Sequence, residues 1–121
     1  MERVTLVTRQ HSQMVDITAE VQRVVSASGI TDGTVVIFCP HTTAGLTINE
    51  HADPDVADDL LEALEKLVPW RADYRHTEGN AAAHVKASLL GHSLTVLVEG
   101  GRLVLGTWQG IFFCEFDGPR S

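Results

Sequence analysis

The stretch Asp73–Gly91, D-Y-R-H-T-E-G-N-A-A-A-H-V-K-A-S-L-L-G, changes from a polar, charged loop into a short apolar segment. Asn80 can accept hydrogen bonds from the N–H groups of a first helical turn, and Gly91 can end a helix in the left-handed conformation. Most side chains between them are small or apolar, which is typical of a helix that is buried on most sides. The stretch therefore predicts a buried helix against which the rest of the chain packs.

Polar side chains gather at the start of this predicted helix. His76 lies just before it, with Arg75 and Glu78 beside it, and His84 lies in the helix itself. A helix N-terminus presents free N–H groups and partial positive charge, which suit an anion. The same field disfavours a protonated imidazole, so we expect His84 to be neutral and able to bind a metal. A capped core helix with one hydrogen-bonded histidine explains the stretch equally well.

The composition limits the classes of function. The 121 residues suit one domain, and an apolar content of 44% supports a packed core. The formal net charge of −7 argues against a nucleic-acid or membrane-surface partner, because both need a basic face. A small anionic, phosphorylated ligand remains possible, since a local pocket can oppose the net charge.

The cysteines and the apolar runs indicate a cytoplasmic protein. Cys39 and Cys114 each lie in an apolar, strand-like run. Buried free thiols in a reducing compartment are the simplest interpretation. The first ten residues lack the apolar segment of a signal peptide, and no apolar run approaches the length that spans a membrane.

Periodicity and turn residues predict the element order β-α-β-β-α-α-β-β-β. Besides the helix of the opening stretch, we predict strands at 4–8, 34–39, 46–49, 94–98, 103–105 and 111–116, and helices at 16–28 and from 53 to the proline at 69. The run Thr34–Cys39 is so apolar that it suggests a strand buried on both faces. Consecutive strands near the C-terminus favour antiparallel pairing, so an α+β fold is expected.

A second polar cluster follows the predicted strand 34–39. It reads P-H-T-T-A-G and is followed by N-E-H-A-D. Thr42 and Thr43 can donate hydrogen bonds to a phosphate, and Gly45 lets the backbone approach a ligand closely. So many polar residues at strand ends are unusual for a plain turn.

The two clusters together suggest a metal site. His41, His76 and His84 could form a three-imidazole site with water in the open position. Glu50 or Asp55 could instead supply an oxygen ligand, or orient a histidine through its second ring nitrogen. Imidazole ligands suit zinc or a similar metal, whereas Mg²⁺ would need oxygen ligands. The spacing matches no compact zinc pattern, so on its own it is weak support.

Three segments of the chain closely resemble the YjbQ-like family. They read H-T-T-A-G-L-T-I-N-E-H-A-D-P-D, D-Y-R-H-T-E-G-N-A-A-A-H-V-K-A-S-L-L-G and G-R-L-V-L-G-T-W-Q-G-I-F-F-C-E-F-D-G-P-R. The resemblance implies a β-sandwich decorated with about three helices, assembled as a homotrimer. The family's motif positions correspond here to His41, His76, His84, Glu50, Asp53, Asp55 and Glu78. The chain departs from the pattern at Gly45, where Ser is common, and at His51 and Gly100, where Asn is common.

The resemblance also implies an activity, namely weak or secondary thiamine phosphate synthesis. That reaction joins a pyrimidine pyrophosphate to a thiazole phosphate and releases pyrophosphate, so it needs charge stabilisation on the leaving group. A divalent metal ion could supply that charge. In this scheme Arg75, Glu78 and Glu50 are catalytic, and the ligand is bound by Thr42, Thr43, Asn80 and Lys86. The alternatives are a metal-dependent binding module for a phosphorylated or carboxylated metabolite, and a metal-dependent hydrolase.

The sequence offers its own reason to expect self-association. The predicted closing strand Ile111–Phe116 is apolar at nearly every position. Such a strand at an exposed sheet edge would aggregate unless another chain covered it. The number three comes only from the family resemblance.

Overall fold

The computed structural model describes residues 1–121, and its elements follow the predicted order. The strands are β1 (Gln13–Asp16), β2 (Gly33–Phe38), β3 (Ala44–Glu50), β4 (Ser93–Glu99), β5 (Arg102–Leu103) and β6 (Gln109–Glu115). The helices are α1 (Thr18–Ser28), α2 (Pro54–Leu67) and α3 (Ala81–Leu90). None of the helices is long and apolar enough to cross a membrane.

The strands form two three-stranded antiparallel sheets. One sheet has the order β1-β6-β3, and the other has the order β2-β4-β5. In the first sheet Cys114 of β6 pairs with Met14 on one side and with Gly45 on the other. In the second, Val35 pairs with Val96. The predicted antiparallel α+β sandwich is confirmed.

Two apolar clusters hold the layers together. The first lies between the two sheets and under α1, and its buried members are Ile17, Val21, Cys39, Ala44, Leu46, Val96 and Ile111. The second lies on the other face of β6, where Ala83 of α3 packs with Phe112, Cys114 and Phe116. Leu61 and Leu64 of α2 cover this cluster. The first sheet is therefore buried on both faces, with α2 and α3 on its outer side.

Local signals in the sequence place the ends of the helices. The Asp53 carboxylate accepts from the Asp55 N–H at 2.9 Å, and Pro54 takes the first helical position of α2, as predicted. Helix α1 ends at Gly29, which is left-handed with φ of 74°. Asn80 differs from expectation, since its side chain makes no capping hydrogen bond to α3.

Two strand predictions are wrong. Residues 4–8 form no strand, because β1 occupies the edge beside β6; the Thr8 N–H instead donates to the Arg120 carbonyl at 2.7 Å. Strand β2 is not buried on both faces, since Val36 is 65% exposed and Phe38 is 63% exposed. Its sheet has only one face against the core, so alternate apolar side chains point outward.

The role expected for the last strand is also wrong. Strand β6 is the central strand of its sheet rather than an exposed edge, with β1 and β3 on either side. Its run of apolar residues is explained by burial on both faces, where Ile111 packs between the sheets and Phe112 packs under the helices. The argument for self-association from an exposed apolar edge strand is therefore wrong.

Candidate functional site

The loop before α3 brings two imidazoles into contact. His76, in the loop, meets His84, in the helix, with ring centroids 5.2 Å apart and the ring planes at 80°. The Glu78 Oε2 atom lies 3.9 Å from Nε2 of His76. Both imidazoles retain some exposure to solvent, so they can donate or accept hydrogen bonds to a ligand at this surface.

A cavity of about 380 Å³ adjoins this histidine pair. Its lining residues are Trp70, Arg71, Ala72, Tyr74, His76, Gly79 and Ala81. The Tyr74 hydroxyl donates to the Pro69 carbonyl and so closes the loop around the cavity. Arg71 supplies a cation that the sequence reasoning missed. Its only signal in the sequence is its place in the same polar loop, two residues after Pro69.

Arg75 and Asn80, which belong to the same stretch, do not line this cavity. Arg75 is exposed, and its neighbour Tyr74 takes the lining position instead. Asn80 donates from Nδ2 to the Asp117 carboxylate at 2.9 Å. Its Oδ1 atom is buried and has no hydrogen-bond partner. The Asn80 side chain therefore connects the start of α3 to the C-terminal segment through a hydrogen bond.

Lys86 faces the protein interior. Its side chain is only 2% exposed, and its Nζ atom lies 2.6 Å from a carboxylate oxygen of Glu65 on α2. The same ammonium lies 6.0 Å from the centre of the Phe116 ring. Its positive charge therefore joins α3 to α2 and is directed away from any ligand at the histidine pair.

The cluster after β2 is dispersed. His41 is exposed and packs edge-on against Phe113, with centroids 6.4 Å apart. Thr42 is exposed, whereas Thr43 is buried and accepts a hydrogen bond from the Arg120 guanidinium. Glu50 is partly buried at the end of β3. This cluster therefore does not act as one phosphate-binding loop in the chain.

Gly45 belongs to strand β3, and its close contacts are with α3 rather than with a ligand. A Cβ atom added there would lie 2.9 Å from the Gly91 carbonyl oxygen and 3.2 Å from Cβ of Leu90. The absence of a side chain therefore lets β3 approach the end of α3 closely, which is a packing role.

The predicted metal centre does not form. No group of three or more His, Cys, Asp or Glu side chains lies close enough to hold a metal ion. His76 and His84 meet, but His41 does not join them, because it lies against Phe113 of β6. The expected three-histidine site is wrong: each residue ends or borders an apolar element, but the elements do not bring all three together.

The cysteines add no metal ligand. Both are free and buried, as predicted. Burial, with a small contribution from Cys39, raises the pKa of the Cys114 thiol to about 12. Burial also raises the pKa of Cys39, against the opposing hydrogen bond from the His41 backbone. Neither thiol is ionised at neutral pH, so neither is a ready nucleophile or ligand.

Comparison with known proteins identifies close relatives. A family model described as "UPF0047 protein YjbQ-like" matches residues 2–121. The chain is 56% identical over 115 residues to the UPF0047 protein YugU of Bacillus subtilis (strain 168), covering 94% of this chain and 87% of that protein. A UPF0047 protein of Methanocaldococcus jannaschii is 50% identical over 113 residues, covering 93% and 82%.

Solved structures agree with these sequence matches. A YjbQ/UPF0047 family protein from Clostridium acetobutylicum superposes with a TM-score of 0.94 and 57% identity, covering 95% of this chain and 89% of that chain. A YbjQ-like protein of unknown function from Sulfolobus solfataricus P2 gives a TM-score of 0.92 and 38% identity, covering 96% and 85%.

These findings correct the expected activity. Neither the family description nor the names of these relatives mention thiamine phosphate synthesis. The chain also has no group of side chains that could hold a metal ion. The predicted metal-dependent synthase is therefore wrong, and so are its metal-dependent alternatives. The family resemblance and the fold that it implied are both confirmed. The chain belongs to the UPF0047 YjbQ-like family.

Proposed function

We propose that this protein binds a small anionic metabolite, bearing a phosphate or carboxylate group, in the cavity before α3 and without a metal ion. The observation that supports this most is the cavity lining, in which Arg71 lies with His76 while His84 contacts His76. The guanidinium fork matches the geometry of carboxylate and phosphate groups, and imidazole N–H groups add further donors.

The remaining lining suits the organic part of such a ligand. Trp70 and Tyr74 contribute aromatic surface, and Ala72 and Ala81 contribute small apolar surface. Small-molecule sites usually combine apolar walls with a few polar groups that fix the orientation of the ligand. Glu78, with Oε2 3.9 Å from Nε2 of His76, adds an acidic side chain beside this pair.

Titration calorimetry with inorganic phosphate and pyrophosphate, in buffer containing EDTA, tests this proposal. Replacing Arg71 with glutamine should weaken binding at least about tenfold, because a charge-assisted hydrogen bond is lost. Arg75→Gln is the matched control, since Arg75 lies in the same loop but outside the lining. A requirement for added metal, or equal losses in both variants, would contradict the proposal.

We also propose that the protein is a cytoplasmic homotrimer. Its two free, buried cysteines fit a reducing compartment. The outer face of the β2-β4-β5 sheet supports self-association, because Val36, Phe38 and Leu97 are each at least 60% exposed there. Apolar patches on a sheet face commonly mark interaction surfaces. The number of subunits rests on the resemblance alone.

Sedimentation equilibrium at micromolar concentration should give three times the mass of one chain. Phe38→Ser and Leu97→Ser should shift the population to lighter species, because each removes apolar area from the face. Leu67→Ser is the control, since Leu67 is 74% exposed but lies at the end of α2. A stable monomer rejects self-association. A dimer would support self-association through this face but would contradict the proposed number of three subunits.

A further inference from the structure

A second cavity, of about 540 Å³, lies beside the start of α1 and shares no lining residue with the first. Its lining includes a histidine–carboxylate pair, a cation and apolar side chains, namely His51, Asp16, Arg102, Leu103 and Leu105. The pair joins the end of β1 to the residue after β3, which are 35 positions apart in the sequence. Nothing in the proposed function uses this cavity.

Asp16 is fixed and ionised. Its Oδ1 atom accepts from the Thr18 N–H at 3.0 Å and from the Thr18 hydroxyl at 2.6 Å, while Oδ2 lies 2.8 Å from Nδ1 of His51. Burial alone would raise the pKa of Asp16, but the hydrogen bonds from Thr18 and the His51 interaction outweigh it and hold that pKa below its ordinary value. An ionised carboxylate only accepts hydrogen bonds, so Nδ1 of His51 carries the proton.

The His51 ring is therefore set to accept a hydrogen bond from a ligand. In the neutral form of the ring, with the proton on Nδ1, Nε2 carries a lone pair, and Nε2 makes no hydrogen bond within the chain. Gly110 leaves room for the ring, because a Cβ atom there would lie only 2.5 Å from Cγ and from Nδ1 of His51. The His51 N–H also donates to the Trp108 carbonyl at 3.0 Å. Both the backbone and the ring are held in place before any ligand arrives.

Arg102 supplies an available positive charge. It makes no ion pair with any carboxylate of the chain. Leu103 and Leu105 give the same cavity apolar surface. Asp16 and Glu20 also line it, so a doubly charged phosphate would meet more repulsion than a singly charged carboxylate.

We propose that this cavity binds a small monocarboxylate that bears a hydroxyl group. The carboxylate pairs with the Arg102 guanidinium, the hydroxyl donates to Nε2 of His51, and the organic body packs against Leu103 and Leu105. The proposal is independent of the anion site before α3, because the two cavities have no residue in common.

Mandelate and phenylacetate are a suitable pair of probes, since both carry a ring and one carboxylate and only mandelate has a hydroxyl. Their affinities are measured at pH 7.5 from ¹H–¹⁵N chemical-shift titrations of the whole chain. Mandelate should bind about tenfold more tightly, because one hydrogen bond to an acceptor that is already held in place increases the affinity by roughly that factor. The shifted resonances should belong to residues around the second cavity.

Variants separate the two contacts. His51→Phe should reduce the preference for mandelate to less than about twofold, whereas Arg102→Gln should weaken both probes about tenfold without removing the preference. His92→Asn is the control, because His92 packs against Phe38 and lies outside the cavity. The backbone spectrum of each variant shows whether it is folded, and Arg102→Gln still tests the site if His51→Phe is not.

Three results would overturn the proposal. The first is equal affinity of the wild type for both probes. The second is the absence of shifts around the cavity with about 50 mM mandelate, roughly fiftyfold above a Kd of 1 mM. The third is an unchanged preference in folded His51→Phe.

Discussion

Replacing Arg120 with alanine should lower the free energy of unfolding by about 3 kcal/mol at pH 7. Its guanidinium Nε atom lies 3.1 and 3.3 Å from the two carboxylate oxygens of Glu115, whose side chain is only 1% exposed. Removing one partner of such a pair leaves a charge buried without its counterion. Arg120 itself is 42% exposed, so the loss should lie at the lower end of the range for buried pairs.

Urea denaturation of wild type and variant measures this loss, and two comparisons isolate its cause. Arg75→Ala, in an exposed loop, should change stability by less than about 0.5 kcal/mol. Adding Glu115→Gln to Arg120→Ala should recover part of the loss, because the neutral amide costs less to bury than the carboxylate. Equal stability of the Arg75 and Arg120 variants would show that the pair contributes little.

This C-terminal pair also shows which parts of the site the sequence could not predict. Thr43 and Asn80 looked like ligand-binding residues because each lies in a polar cluster. In the structure Thr43 contacts Arg120, and Asn80 contacts Asp117. These contacts span 77 and 37 positions of the chain. Local composition indicates that a residue is polar, but not which distant segment forms its hydrogen bonds. It therefore predicts a ligand contact for both residues.

The helices and the element order were predictable for the opposite reason. The Asp53-Pro54 start of α2 and the Gly29 end of α1 are local signals that act through neighbouring backbone groups. The sheet partners of β2 and β6 are not local. An apolar run therefore predicts burial on both faces for β2, which has one exposed face, and an edge position for β6, which is the central strand. The pair Asp16–His51 is likewise visible only after β1 and β3 are placed in one sheet.

Replacing Glu65 with glutamine should lower the free energy of unfolding by about 2 kcal/mol at pH 7. The variant leaves the ammonium of Lys86, which is 2% exposed, without its counterion at 2.6 Å. The side chain of Glu65 is 48% exposed, so solvent screens part of the interaction and the loss should be smaller than for Arg120→Ala. Changing Lys86 to methionine in the same variant should restore part of the stability, since no charge then remains buried.

The pH dependence of this loss separates a charge effect from a packing effect. Burial alone would raise the pKa of Glu65, but the hydrogen bonds from Lys86 and the Trp70 N–H, with the charges of Lys86 and His11, hold it below the ordinary value of 4.5. A carboxyl whose pKa is lowered by folding stabilises the protein fully above its unfolded pKa, and the contribution disappears as the pH falls through the folded pKa. The stability difference between wild type and Glu65→Gln should therefore be constant from pH 7 to about 5 and shrink below 4.5.

Glu62→Gln is the control, because Glu62 and Lys66 are 66% and 76% exposed and their pair should contribute less than about 0.5 kcal/mol throughout. Urea denaturation at a series of pH values measures both variants, and a Glu65→Gln difference that persists unchanged well below pH 4.5 would assign the loss to packing rather than to the ion pair.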